Sequence, residues 1–488
     1  MSKAEWISIR PTRSIMSLEK IVIIGSGPAG TRAAETLLRQ GCRNITVVSE
    51  APASGGQIYR RQPQGFGRKA DEIYGSEAEK ATALHKSFDA LAGSVDYRPN
   101  TLVWNIFDRK VFTNGPKGVD ELPFDRLVLT TGAMDRILPM PGWTLPGVFT
   151  LGGAQIALKH QACAIGRQVV FAGAGPLLYL VAWQYMKAGA HVVAVLDTSA
   201  FANKMAASLK LLALPCLMFR GIKFRRDLKA KGVALHEGVR LTRIEGDQSV
   251  MAINFTKGGV AQRLDCDAVG LGFGLNPEMQ LAELAGARTR FDRTFRQWVL
   301  AHDGEGRAAE GVYVAGDGHA IGGADVAELT GERAAWAVLA DLGLPVSAER
   351  QNVIRRALKR QAIFREGTEQ SFPLPAEWLA DTPDETILCR CENVTFGEVR
   401  AAITELEPND VNRLKAFARP GMGRCQGRVC GHVLAELLAA ETGRPLEEVG
   451  RLRGQAPVKP LHYKAAAGKA EASIQQWLEQ ADKVLENG

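Results

Sequence analysis

Two glycine-rich turns constrain the fold of this chain more than any other feature. Gly25-Ser26-Gly27-Pro28-Ala29-Gly30 follows a short continuous apolar run, Lys20 to Ile24, and leads into a helix-forming stretch from Thr31 to Gln40. A second apolar run, Asn44 to Ser49, ends at Glu50. This is a complete strand–helix–strand unit of the parallel-sheet kind. The same order returns 148 residues later. Gln168 to Ala172 runs into Gly173-Ala174-Gly175-Pro176-Leu177-Leu178, a helix to about Gly189, and a strand, His191 to Leu196, that ends at Asp197. A repeat this large predicts an α/β chain with two Rossmann-like dinucleotide-binding domains.

The glycine spacing has a physical purpose. Gly25 makes the tight turn, Gly27 lets the backbone approach a pyrophosphate, and Gly30 lets the helix pack close to the strand, with the helix N-terminus facing the anion. Glu50 stands where a carboxylate accepts ribose hydroxyls. The second turn is degraded, because Leu178 occupies its third glycine position. A leucine there is expected to push the helix slightly off the strand while leaving the pyrophosphate position open. Asp197 suits a ribose 2′-hydroxyl, and no Arg or Lys follows it immediately, which disfavours a 2′-phosphate. Two readings of Gly173, Gly175 and Asp197 stay open: a site for NAD or another adenine nucleotide, ATP included, or a nucleotide fold kept as scaffold.

Glycine is abundant, 51 of 488 residues, about a tenth against ~7% in average chains. Most of the surplus sits in such turns. Gly55-Gly56-Gln57-Ile58-Tyr59 follows the first acid. Leu127 to Thr131 forms a further strand ending at Gly132, and Gly311 to Asp317 forms another ending in Gly316-Asp317, before Gly322-Gly323 and a helix from about Asp325 to Leu342. This set resembles the glutathione-reductase-type two-dinucleotide flavoprotein family. The resemblance implies FAD on Gly25, Gly27, Pro28, Ala29, Gly30, Glu50, Gly56, Gln57, Gly132 and Gly316, with Asp317 on the ribityl chain. A competing role for Asp317 is to cap the turn that follows it. His319 reads either as a proton relay near the isoalloxazine or as a structural histidine. No CxxC or CxxxxC pair occurs before residue 389, so disulfide exchange at the flavin is not expected.

Four cysteines mark a separate module. Cys389-Arg390-Cys391 is followed, after 33 residues, by Cys425-Gln426-Gly427-Arg428-Val429-Cys430. Soft thiolates in two close pairs bind an iron–sulfur cluster or zinc, although zinc usually arrives through CxxC knuckles. The CxC, the loop and the Gly421-Met422-Gly423 turn resemble the bacterioferritin-associated-ferredoxin type of helical [2Fe–2S] domain. The Cys-x4-Cys pair departs from the CxxC of the small ferredoxins. Arg413, Lys415, Arg419, Arg424 and Arg428 are expected to offset the charge of a thiolate-bound cluster.

Hydrophobic residues make up 46% and charged residues 23%, as in ordinary globular chains. A net charge of +7 over 488 residues is a mild bias. The one basic stretch, Arg220 to Lys231, has no interleaved aromatic pattern and reads as a solvated helix face, not a nucleic-acid site. No apolar run is long enough to span a membrane, and the N-terminus lacks a secretory signal. A cytoplasmic location is expected, with Cys42, Cys163, Cys216 and Cys266 as core thiols. The expected organisation is an arm over 1–18, an FAD domain over 19–152 and 278–345, and a second Rossmann-like domain over 153–277. A helical linker over 346–379, a [2Fe–2S] domain over 380–455 and a tail over 456–488 follow. The tail holds APVKPLHYK and a closing helix, about Lys469 to Glu486.

The whole order, over about residues 19–460, resembles the α subunit of heteromeric flavin-dependent amino-acid dehydrogenases: opine (octopine and nopaline) and D-hydroxyproline dehydrogenases, with a hydrogen cyanide synthase subunit related. The resemblance implies an oxidoreductase acting on CH–NH donors. A partner β subunit, similar to a D-amino-acid-oxidase-type flavoprotein, removes the hydride, and this chain carries electrons through the cluster and FAD to an acceptor. FMN at the subunit contact and a small γ subunit are left open. Two alternatives remain: a self-contained NADH-dependent flavin/iron–sulfur reductase, and a non-catalytic assembly subunit.

Overall fold

A computed structural model describes residues 19–63, 65–375 and 377–461. The arm expected over 1–18 and the closing helix expected from Lys469 lie outside the described residues.

The first strand, Ile21–Ile24, is buried on every side chain, as a central parallel strand requires. Its sheet runs in the order Arg307–Ala309, Val312–Val314, Arg126–Leu129, Ile21–Ile24, Ile45–Val48, Asp96–Arg98. All neighbours are parallel except the first, an antiparallel edge pair. The second sheet runs Ala234–Glu237, His191–Asp197, Gln168–Ala174, Ala268–Phe273, Val148–Thr150, all parallel. Both repeats therefore fold as the turns predict. The second unit begins earlier than 153, because Val148–Thr150 pairs with Ala268–Phe273 and feeds the helix Leu151–Lys159. A small antiparallel pair, Ala133–Asp135 with Leu275–Pro277, joins the two units.

The first helix, Pro28–Arg39, is held by a later one, Ala324–Asp341. Their contact depends on Gly331, where a Cβ would lie 2.1 Å from the Ala29 carbonyl oxygen. Lys223 and Arg225, in the basic helix Pro215–Ala230, pair with Asp227 at 2.5 Å and Glu237 at 2.7 Å, and Arg220 pairs with Glu77. The stretch is thus partly neutralised by its own neighbours. Of the four thiols expected in the core, Cys42 and Cys266 are buried, whereas Cys163 and Cys216 are exposed. Cys163 lies in the turn after the helix that ends at Lys159, and Cys216 lies in the first turn of Pro215–Ala230. Apolar neighbours in sequence do not bury a residue at such an end. No helix among the described residues is long and apolar enough to cross a membrane.

The linker is one helix, Ala348–Ser371, capped by Ser347. The cysteine module packs three helices, Phe396–Leu406, Val411–Ala418 and Gly431–Thr442, around Leu388, Phe396, Leu414, Leu434 and Leu438. Thr395 and Glu398 form a capping box at the first of these, and Asp410 caps the second, fixing where each starts.

Gly331→Ala is expected to force the two helices of the flavin unit apart. The cost should be ~1–3 kcal/mol, read as a lower thermal midpoint and weaker flavin retention.

Candidate functional site

The sequence places a glycine turn at the helix N-terminus, and the structure explains Gly25 and Gly30 by what a side chain would strike. At Gly30 a Cβ would lie 1.9 Å from the Gly25 carbonyl oxygen, and at Gly25, whose φ is +111°, 2.4 Å from the Thr130 carbonyl oxygen. Gly27 caps the helix without a side-chain hydrogen bond, and Pro28 follows in the first turn. The loop from Gly55 lies against this turn: Gly55 N donates to the Ser26 carbonyl at 2.9 Å, and a Cβ on Gly27 would sit 3.5 Å from Gly56 Cα. Gln57 Oε1 accepts from Arg60. Gly316 approaches Ala29, and Gly318 approaches Thr131 and Gly132. The first group of expected residues is therefore gathered at one end of the first sheet. An uncapped helix N-terminus beside backbone that no side chain covers fits an FAD pyrophosphate.

Asp317 is half-buried, and its Oδ1 accepts from Gly322 N at 2.8 Å and Gly323 N at 2.9 Å. Burial raises its carboxyl above the usual range, against these two donors. The turn-capping role is thus present at this residue. His319 Nδ1 lies 2.6 Å from the Gly316 carbonyl. Burial lowers its ring to about 3, so it is neutral at pH 7, as a structural histidine is. Glu50, at the end of the second strand, is exposed and ion-paired with Lys459.

The second turn differs in what surrounds its acid. Gly173 lets the strand approach Gly272, where a Cβ would lie 1.8 Å from the carbonyl oxygen, and Gly175 starts the helix at φ +116°. Leu178 is fully buried among Leu151, Phe171 and Val195. Asp197 has no exposed surface. Its oxygens already accept from Tyr179 Oη at 2.7 Å, Lys204 Nζ at 2.6 Å and Ser199 N at 2.8 Å. Lys204 and Arg225 continue the network to Glu237, and the Phe372 ring, just past the linker helix, lies tilted beside Tyr179 with Lys204 Nζ over its face.

One buried charge escapes sequence reading. Lys159, 2% exposed at the end of its helix, donates to the Ile58 carbonyl at 3.0 Å, within the loop that lies on the flavin turn. Burial pushes its ammonium down to about 8. In sequence it reads as an ordinary basic residue at a helix C-terminus, and nothing local signals its burial.

The four module cysteines meet as two pairs, Cys389 with Cys430 and Cys391 with Cys425, each within hydrogen-bond reach. The bond from Cys430, with N–H groups of Gly421, Glu392 and Cys391, brings the Cys389 thiol down to about 5, against burial. Close backbone approach makes this loop possible: a Cβ on Gly423 would lie 2.3 Å from Cys391 Cβ. A four-thiolate set in two pairs fits a two-iron cluster. Of the cations expected to offset its charge, Arg419 is bonded to Glu392 at 3.0 Å and Arg428 is paired with Glu278.

The two sites meet on Glu278. Its backbone N–H donates to the Gly132 carbonyl at 3.0 Å, and its carbonyl accepts from Thr131 Oγ1 at 2.6 Å. Its carboxylate holds Arg428, inside the loop between Cys425 and Cys430, and each partner is only 13% exposed. Nearby, Gln280 Nε2 donates to the Gln426 carbonyl at 2.8 Å, and His432 Nε2 lies 2.9 Å from the Ile137 carbonyl. Trp143 Nε1 donates to the Ile387 carbonyl at 2.6 Å.

These features define a two-dinucleotide flavoprotein with an attached [2Fe–2S] module, an oxidoreductase architecture. The sequence pattern of the pyridine nucleotide-disulphide oxidoreductase family matches residues 19–331, and that of the BFD-like [2Fe–2S] binding domain matches residues 387–440. The chain is 35% identical to an opine oxidase subunit of Rhizobium meliloti, covering 90% of this chain and 86% of that one. It is 30% identical to the HcnB subunit of hydrogen cyanide synthase from Pseudomonas protegens, covering 91% and 96%. The chain belongs to this family of flavin and [2Fe–2S] oxidoreductase subunits. Its fold is also that of L-proline dehydrogenase from P. horikoshii, with a TM-score of 0.66 at 20% identity over 92% of this chain and 79% of that one.

Cys425→Ser should abolish the visible cluster absorption while FAD stays bound, because Glu278, Gln280 and Ile137 anchor the module without using the thiols. Lys159→Met should raise the thermal midpoint at pH 7. The lysine is charged below about 8 in the folded chain and below ~10.4 in the unfolded one, so its burial cost is fully present below pH 8. The advantage of the variant should shrink as pH rises from 8 to about 10, which melting curves across that range will check.

Proposed function

We propose that this chain is the electron-transferring subunit of a heteromeric dehydrogenase that oxidises an opine or another secondary amino acid, such as D-hydroxyproline. The hydride leaves the substrate on a partner β subunit of the D-amino-acid-oxidase type. The observation that carries this reading is Glu278, which bonds the flavin strand end on one side and the cysteine loop on the other. Direct contact of this kind suits a protein whose task is to pass electrons between two centres. Bound FAD would supply two-electron acceptance, and the cluster one-electron transfer. This chain's residues hold and orient them: Gly25, Gly27 and Gly30 at the pyrophosphate, Glu50 at the ribose, and Cys389, Cys391, Cys425 and Cys430 at the irons. The relatives are named as subunits, which supports a partner. So do six large apolar side chains between residues 201 and 222, each more than half exposed: Phe201, Met205, Leu209, Leu212, Phe219 and Ile222. Surface of this kind is what contacts between subunits cover.

A second reading, a self-contained NADH-dependent reductase, draws on the complete second Rossmann sheet and its Gly173 and Gly175 turn. Against it stands Asp197, enclosed by Tyr179, Ser199 and Lys204 and so withdrawn from a nicotinamide nucleotide's ribose. The enclosure favours the scaffold role. An assembly subunit without redox work, the third reading, would retain full complex activity after Cys389→Ser.

An anaerobic titration of the purified chain with NADH, followed by flavin absorption, separates the first two readings. No bleaching by NADH, with dithionite still reducing flavin and cluster, is expected. Rapid stoichiometric bleaching would make the NADH reductase the correct reading.

A further inference from the structure

The segment leaving the cysteine module returns to the flavin unit. Arg451 pairs with Glu283, and Gly454 N donates to Glu283 Oε2 at 2.9 Å. Val458 N donates to the Trp104 carbonyl at 3.0 Å, and the Val458 carbonyl accepts from Arg428. The Val458 side chain is 1% exposed and belongs to the same packed core as Val22, Ile24 and Val48, near the C-terminal ends of the strands that carry the nucleotide turn and the acid. The next residue, Lys459, is ion-paired with Glu50.

We infer that residues 456–459 form part of the FAD site, with Lys459 as a binding residue at the adenosine end. This rests on the assignment of FAD to the first glycine turn. A cation there favours binding. A carboxylate that accepts ribose hydroxyls stays anionic beside a doubly anionic pyrophosphate, and like charges oppose binding. Lys459 offsets the charge of Glu50, and Arg60 faces the same carboxylate, so Lys459 supplies part of the compensation. Val458 anchors the strap, because an apolar side chain in the core of the flavin unit holds the following lysine in place. FAD retention therefore depends on a segment delivered by the module that holds the cluster.

The test uses the full chain and follows FAD release by flavin fluorescence during equilibrium dialysis, with visible absorption reporting the cluster. Gly27→Val serves as the reference. It should lose FAD, and if it retains stoichiometric FAD the site assignment itself fails. With that control satisfied, Val458→Asp should raise the FAD dissociation constant by about tenfold or more, the equivalent of ~1.4 kcal/mol, and keep the cluster. Lys459→Met should raise it roughly threefold, as expected of a partly exposed ion pair. FAD affinity at the wild-type level in both variants, while Gly27→Val loses FAD, would overturn the inference. Should Val458→Asp fail to fold, the pair Glu50→Gln and Lys459→Met decides. A combined effect smaller than the sum of the two supports the role of Lys459 through Glu50, and strict additivity overturns it.

Discussion

The ion pair between Glu278 and Arg428 is the interaction on which the rest of this architecture depends. Glu278 is bonded by its backbone to Thr131 and Gly132, and Arg428 lies between two of the four cysteines. Its neighbours Gln280 and Ile137 hold the same loop and helix by direct bonds. A largely buried charge pair is not a strong source of stability by itself, but removing one partner strands the other in a poor solvent. Its value here is positional. It ties the cysteine loop to the flavin strand end through one residue and fixes the orientation of the module.

The two Rossmann units have divergent fates that follow from their acids. Glu50 stays exposed at the end of its strand and meets Lys459 from outside. Asp197 is drawn inward, with a tyrosine, a lysine and a backbone N–H bonded to its oxygens. The acids differ by one position in the repeat: Asp197 is the last residue of its strand and pairs with Gly173, whereas Glu50 lies two residues past Val48, so the two side chains leave their sheets in different directions. Phe372, at the end of the linker helix, packs beside Tyr179 and Lys204, which bond the second acid, and a short strap reaches the first. The linker thus does more than connect.

Much of the fold was legible because local rules and tertiary packing agree. Ile21–Ile24 has no polar face, and the glycine turns permit close backbone approach. The cysteine pairs were legible because soft donors at that spacing have few other uses. Burial of single residues was not legible. Lys159 sits at a helix end where lysine is ordinary, yet it is sealed under the Gly55–Tyr59 loop. Cys163 and Cys216 lie among apolar neighbours, yet at element ends that face water. Burial is set by segments far away in sequence, which a local pattern does not contain.

The sequence by itself determined the parts: two strand–turn–helix units, an acid after each, a four-thiolate module and a basic tail piece. Each rests on short-range physics, either a steric demand for glycine or the donor chemistry of neighbouring residues. Only the tertiary structure decided how the parts serve one another. It brought Arg428 to Glu278 across 150 residues and Lys459 to Glu50 across 409, and it enclosed Asp197. Such contacts are decided when the chain's apolar surfaces bury one another. The charges and hydrogen bonds that result then take whichever partners that burial leaves within reach.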